Sequence, residues 1–166
     1  MVRRSPEGRE WFRQTLIRLE GPLLRYTRKI TGDLESAKEV VQESLLKLWK
    51  QNLAEIRGHV APWLYTVCRN QAIDFKRRDK GMTELDDNLI SYESYPEQEL
   101  QKKEVFSEIA KLSSKHQEVL LLKFQEGMSY KEIAKITGHS ESNVGLLIHE
   151  GMKVLRETLN EGGQNE

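Results

Sequence analysis

The chain has 166 residues, 37% of them hydrophobic and 31% charged, with 4 Pro and a formal net charge of zero. That composition suits amphipathic helices arranged in two small domains and argues against a thick β core. No apolar run approaches the roughly 20 residues that span a bilayer, and the basic start Met1-Val-Arg-Arg-Ser-Pro6 leads into polar residues where a signal peptide needs an apolar stretch. A cytoplasmic protein without membrane insertion is therefore expected. The single cysteine, Cys68, can close no internal disulfide and build no Cys-rich zinc site. It falls on the apolar side of a predicted helix and reads as a core thiol.

In chain order, the first half predicts helices near residues 7–31, 33–51 and 61–79. Asp33 can cap the second, whose apolar stripe is Leu34, Ala37, Val41, Leu45 and Leu48. Its other face carries Glu39, Gln42, Glu43, Lys47 and Lys50. The third helix follows Pro62, which a first turn tolerates, and should bury Leu64, Val67, Cys68, Ala72 and Phe75. Gly81 to Tyr95 mixes acids, Asn and Ser with few periodic apolar positions and reads as an exposed linker, ended by Pro96. A helix over about 97–112 follows, then Ser114-Lys-His-Gln117 with capping-box spacing before Val119, Leu120, Leu122 and Phe124, closed by Gly127. A second box, Ser129-Tyr-Lys-Glu132, opens a short helix to Thr137; Gly138 makes a turn and Ser140 caps a last helix to about Leu159. A short helix, a glycine turn and a longer helix outline a helix-turn-helix.

Charge is zero only on average. Between Trp63 and Lys80, Arg69, Lys76, Arg77, Arg78 and Lys80 outnumber Asp74 and Asp79, whereas from Glu84 to Glu104 seven acids face only Lys102 and Lys103. On the third helix Trp63, Asn70 and Arg77 are spaced by seven, which drifts only about 20° per step and makes nearly a straight line. An aromatic, an amide and a guanidinium in a line suit single-stranded DNA, by stacking, edge reading and phosphate binding. A tryptophan half-buried against a neighbouring helix with a solvated charged face fits the same pattern. In the last helix, rotation by 100° per residue turns Val144, Ile148, Gly151 and Leu155 inward and Ser142, Gly145, Leu146, His149, Lys153 and Arg156 outward. These outward groups would meet bases or phosphates if the helix enters a major groove, Leu146 through a thymine methyl and His149 as a donor. A helical hairpin packed for stability also fits. His59, His116, His139 and His149 show no metal spacing, and no phosphate loop or nucleophile elbow is present, so no catalytic residue, metal or cofactor is expected.

Three segments, in this order, resemble sigma factors of the extracytoplasmic-function (ECF) group of the sigma-70 family: Asp33 to Trp49, Trp63-Leu-Tyr-Thr-Val-Cys-Arg-Asn-Gln-Ala-Ile-Asp-Phe-Lys-Arg-Arg78, and Leu112 to Leu155. The resemblance implies a non-enzymatic, all-α protein of two small domains. Residues 1–80 would dock core RNA polymerase and open the −10 element, 81–95 would be the acidic linker along the RNA exit path, 96–160 would recognise the −35 element by a helix-turn-helix, and 161–166 would be a flexible tail. It assigns docking on the β′ clamp helices to Glu39, Gln42, Glu43 and Trp49, and opening of the −10 element to Trp63, Asn70, Arg77 and Arg78, with the loop Gln51 to Pro62. The second domain would sit on the β flap and read the −35 element through Ser142, Asn143, Leu146, His149 and Lys153. An anti-sigma factor is a further expected partner. The chain departs from the family in Gly145-Leu-Leu-Ile-His-Glu150-Gly-Met152, where relatives carry several basic residues. Weaker phosphate clamping follows, together with two rival readings: a repressor or activator that uses only the C-terminal motif, and a helical adaptor that binds only protein.

Overall fold

A computed structural model describes residues 4–80 and 100–162. The expected linker over 81–95 and residues 163–166 of the expected tail lie outside them. Every regular element among the described residues is a helix, as the amphipathic patterning predicts. They form two compact units, the first built from α1 (Pro6–Thr31), α2 (Leu34–Trp49), α3 (Leu53–Ile56) and α4 (Val60–Lys80).

In the first unit each boundary has a local cause. Ser5 caps α1 by accepting from the Gly8 N–H at 3.1 Å, and Pro6 opens the helix. Gly32 ends it in the left-handed region at φ 88°, its N–H donating to the Arg28 carbonyl. Asp33 then caps α2, accepting from the Ser36 N–H at 2.8 Å and the Ser36 hydroxyl at 2.7 Å. Those bonds hold its carboxyl below the usual range. The stripe Ala37, Val41, Leu45 and Leu48 is buried together with Val40 and Ser44, while Leu34 stays exposed. The helices α1 and α4 pack against α2, and their Leu23, Ile30, Leu64 and Tyr65 are fully buried. Ser44 meets the Gln71 side-chain amide at 2.8 Å and ties α2 to α4.

Two boundaries differ from the sequence reading. The stretch Gln51 to Pro62, expected as a loop, contains the single turn α3, capped by Asn52 accepting from the Ala54 N–H at 3.0 Å. The helix expected to follow Pro62 starts at Val60 and takes the proline into its first turn, where a missing N–H costs nothing. At the far end of α2, the Arg4 guanidinium donates to the Leu48 carbonyl at 2.7 Å and the Trp49 carbonyl at 2.8 Å. These are the orphan acceptors of a helix C-terminus, which favours a cation.

The second unit holds α5 (Leu100–Ile109), α6 (Ser114–Phe124), α7 (Tyr130–Thr137) and α8 (Glu141–Gly162). The expected Ser114–Gln117 box is not formed. Ser113 is the N-cap, its hydroxyl turned to His116, and the buried Gln117 amide donates to the Ala110 and Leu112 carbonyls, at 3.1 and 2.6 Å. Those carbonyls would otherwise be orphaned at the end of α5, which is why they win the glutamine. The Ser129–Glu132 box is complete, with bonds of 3.0 and 3.1 Å. Gly138 makes the turn at φ 81°, and Ser140 caps α8 by accepting from the Asn143 N–H at 3.1 Å. Where α6 and α8 cross, a Cβ at Gly151 would come within 2.8 Å of the buried Leu120 side chain, which would have to shift to admit it. The last helix reaches Gly162, so Glu161 and Gly162, expected in the tail, are helical.

Candidate nucleic-acid interface

On α4, Leu64, Cys68 and Ala72 are buried as their spacing predicts, joined by Tyr65, Ile73 and Lys76; Val67 and Phe75 are only half-buried. Burial pushes the Cys68 thiol up to about 11, which leaves it protonated and inert. Lys76, one of the five bases of this segment, is packed inside. The line Trp63, Asn70, Arg77 remains along one side of the helix: Asn70 is exposed, Trp63 and Arg77 are half-buried, and Arg78 is exposed beside them. Thr66, between them, donates its hydroxyl to the Pro62 carbonyl at 2.7 Å. The Arg77 Nε is buried with no hydrogen-bond partner, an unmet donor at the foot of the line. A half-buried indole is both packed and available, so the two readings of Trp63 are compatible.

On α2 the exposed face holds Glu39, Gln42, Glu43, Lys47 and Lys50. Leu46 joins them, 61% exposed, and the sequence reading passed over it. Its spacing of three and four from Glu43 and Gln42 is the signal that places it on that face. Trp49, which ends the helix, is half-buried: Phe12 meets its ring edge-on at 4.8 Å, and the Arg4 guanidinium covers it at 4.9 Å.

On α8, Val144, Ile148, Gly151 and Leu155 are buried, with Leu147 added to them. Ser142, Leu146, His149, Lys153 and Arg156 are exposed. Two expected reading residues sit differently. Gly145 lies half-buried under the Tyr130 ring, whose Cε2 is 3.4 Å from where a Cβ would be. The Asn143 amide is half-buried and lies 3.4 Å from the His139 Nδ1. Charge here favours acids: Glu141, Glu150, Glu157 and Glu161 outnumber Lys153 and Arg156 on α8. Glu150 is held at 2.8 Å by the His116 Nε2. Cations near the turn come from other helices, Lys123 on α6, whose Nζ lies 5.3 Å from the Tyr130 ring centroid, and the exposed Lys131 and Lys135 on α7.

A helical unit with a basic, aromatic-bearing helix and a second unit built on a helix-turn-helix have the architecture of a DNA-binding protein. The profile of Sigma-70 region 2 matches residues 16–81, and that of Sigma-70, region 4 matches residues 102–155. The chain is 33% identical over 155 residues to the RNA polymerase sigma factor YlaC of Bacillus subtilis, covering 87% of this chain and 89% of that one. It is also 33% identical over 153 residues to the ECF RNA polymerase sigma factor SigL of Mycobacterium tuberculosis, covering 85% and 84%. In fold it is similar to the sigma factor RpoE of Bartonella quintana, solved in complex with the anti-sigma factor NepR. The TM-score is 0.62 at 22% identity, over 90% of this chain and 96% of that one. The chain belongs to the ECF group of RNA polymerase sigma factors. Such factors bind core RNA polymerase and promoter DNA and initiate transcription, without being enzymes.

Proposed function

We propose that the labour divides between the units. The first docks on the β′ clamp helices of core polymerase through Glu39, Gln42, Glu43 and Leu46 of α2, with Trp49 and its Phe12 and Arg4 partners fixing the end of that helix. It opens the −10 element with α4: Trp63 stacks on an unpaired base, Asn70 reads an edge, and Arg77 and Arg78 hold phosphate. The second unit sits on the β flap and lays α8 along the −35 element, presenting Ser142, Leu146, His149 and Lys153, with Asn143 at the margin. The observation that carries this reading is the exposed row on α8 directly opposite its buried row, in the second helix of a helix-turn-helix with both caps formed.

The protein works in the cytoplasm, where transcription occurs; among the described residues no helix is long and apolar enough to cross a membrane. By likeness to the complex of the Bartonella quintana factor, an anti-sigma factor holds this chain in reserve. Fluorescence anisotropy on promoter DNA, with and without core polymerase, tests the assignment. Specific binding chiefly in the presence of core is expected. Equal specific binding by the free chain would make it a self-sufficient repressor or activator, and no DNA contribution in either case would make it a protein-only adaptor.

A further inference from the structure

Leu146 occupies the middle of the solvent face of α8 and is 53% exposed, although its neighbour Leu147 is turned into the core. It is flanked by Ser142, His149 and Lys153, and it is the most exposed apolar side chain of α8, ahead of Val154 and Leu159. The two sides of the row are already engaged. Gly145 is covered by the Tyr130 ring, itself 41% exposed, and the Glu150 carboxylate is drawn off to His116. With acids in excess along α8, attraction to phosphate contributes little along this helix, and short-range contacts at the base edges must discriminate sequences.

An exposed leucine gains from contact only where it meets another apolar group. On the major-groove edges of duplex DNA, the apolar group offered is the C5-methyl of a pyrimidine, present on thymine and absent from cytosine. A hydroxyl, an imidazole and an ammonium flank Leu146, and these can bond any base edge or phosphate; the leucine cannot.

We propose that Leu146 is a specificity-determining residue that reads a pyrimidine C5-methyl group in the upstream promoter element. Thymine and 5-methylcytosine are then favoured at that position over uracil and unmodified cytosine, and cytosine methylation there raises promoter affinity. The inference rests on the reading of α8 as the upstream DNA-reading helix.

The test uses reconstituted holoenzyme and duplex promoters in which each thymine of the upstream element is replaced singly by deoxyuridine, which removes the methyl and nothing else. One position should lose about fourfold in affinity, the worth of burying one methyl. Placing cytosine there and then 5-methylcytosine should regain about the same factor. Both differences should vanish in Leu146→Ala, an exposed and helix-compatible change whose fold is checked by circular dichroism. If scrambling the upstream element weakens binding but no deoxyuridine does, or if the methyl effect survives in Leu146→Ala, the assignment to Leu146 is wrong while α8 still reads DNA. If scrambling itself costs nothing, the reading of α8 fails and this inference with it.

Discussion

The two helices assigned to DNA, α4 and α8, are nearly equal in length, 21 and 22 residues, and opposite in charge. On α4 five bases stand against two acids, one of the bases, Lys76, being buried, and Arg77 and Arg78 stand at its C-terminal end, where the helix dipole favours a cation. On α8 four acids face two bases, and its central outward side chain is a leucine. A helix that must hold a strand while base pairs are broken needs attraction that does not depend on sequence, and cations supply it. A helix that inspects an intact duplex can do without, provided other groups deliver the DNA to it. On the proposed reading the contrast assigns affinity to the first unit and selectivity to the second, and each half of that division can be broken separately.

The largest effect is expected upstream of any DNA contact, because on the proposed reading α8 meets a promoter only when polymerase presents it. Gln42→Ala combined with Glu43→Lys should abolish co-purification with core polymerase, since a reversed charge at a complementary interface can cost several kcal/mol. Helicity and the thermal midpoint should not change, for both side chains are exposed and off the buried stripe. Retained co-purification would move the docking face elsewhere, with the exposed Ile17 on α1 the next place to look.

Next in size is promoter opening. Trp63→Ala and Asn70→Ala should each permit holoenzyme assembly and slow the appearance of permanganate-reactive thymines. Losing one stacked base is worth about 1–3 kcal/mol, so roughly 5- to 150-fold is expected for Trp63→Ala. Trp63 is also half-buried, so part of its effect can come from packing; a matching fall in thermal midpoint would reveal that part. Asn70 is exposed and free of this ambiguity. Unchanged reactivity in both variants would leave the line on α4 with a structural role alone.

Helix existence and inward faces were legible in the sequence because period and caps agree: Asp33, Ser129, Gly138 and Ser140 all act where their residue types place them. What escaped depended on partners distant in sequence. Ser114 and Gln117 have the spacing of a box, but carbonyls at the end of α5 claimed the glutamine. Nothing in the spacing shows that Lys76 is buried or that Trp49 is clamped between Phe12 and Arg4, 37 and 45 positions away. Gly145 turns outward by rotation alone, yet a ring from α7 lies over it. The short α3 is a single turn, below the length at which periodicity can speak.

The smallest effect is the most direct measure of the contrast, the salt dependence of holoenzyme binding. Each phosphate neutralised by a protein cation contributes about 0.9 to the slope on duplex DNA and about 0.7 on single strands. Arg78→Ala on α4 should therefore lower the slope by roughly that amount, whatever the promoter sequence. On α8 the converse is expected: a lysine added on the exposed row should raise the slope by about 0.9 and tighten binding to intact and scrambled upstream elements alike. Gly145 is a poor place to add it, because it is half-buried beside the Tyr130 ring and a lysine there would mix new packing with the charge. Ser142 is exposed, so Ser142→Lys is the cleaner variant. Lysine in a first turn opposes the helix dipole at a cost of about 0.3–1 kcal/mol, which a thermal melt reads separately. A slope that rises with Ser142→Lys and falls with Arg78→Ala shows that both helices lie on DNA and differ in how they grip it. A slope indifferent to Ser142→Lys would take α8 off the duplex and leave α4 as the only DNA-bound helix of the two.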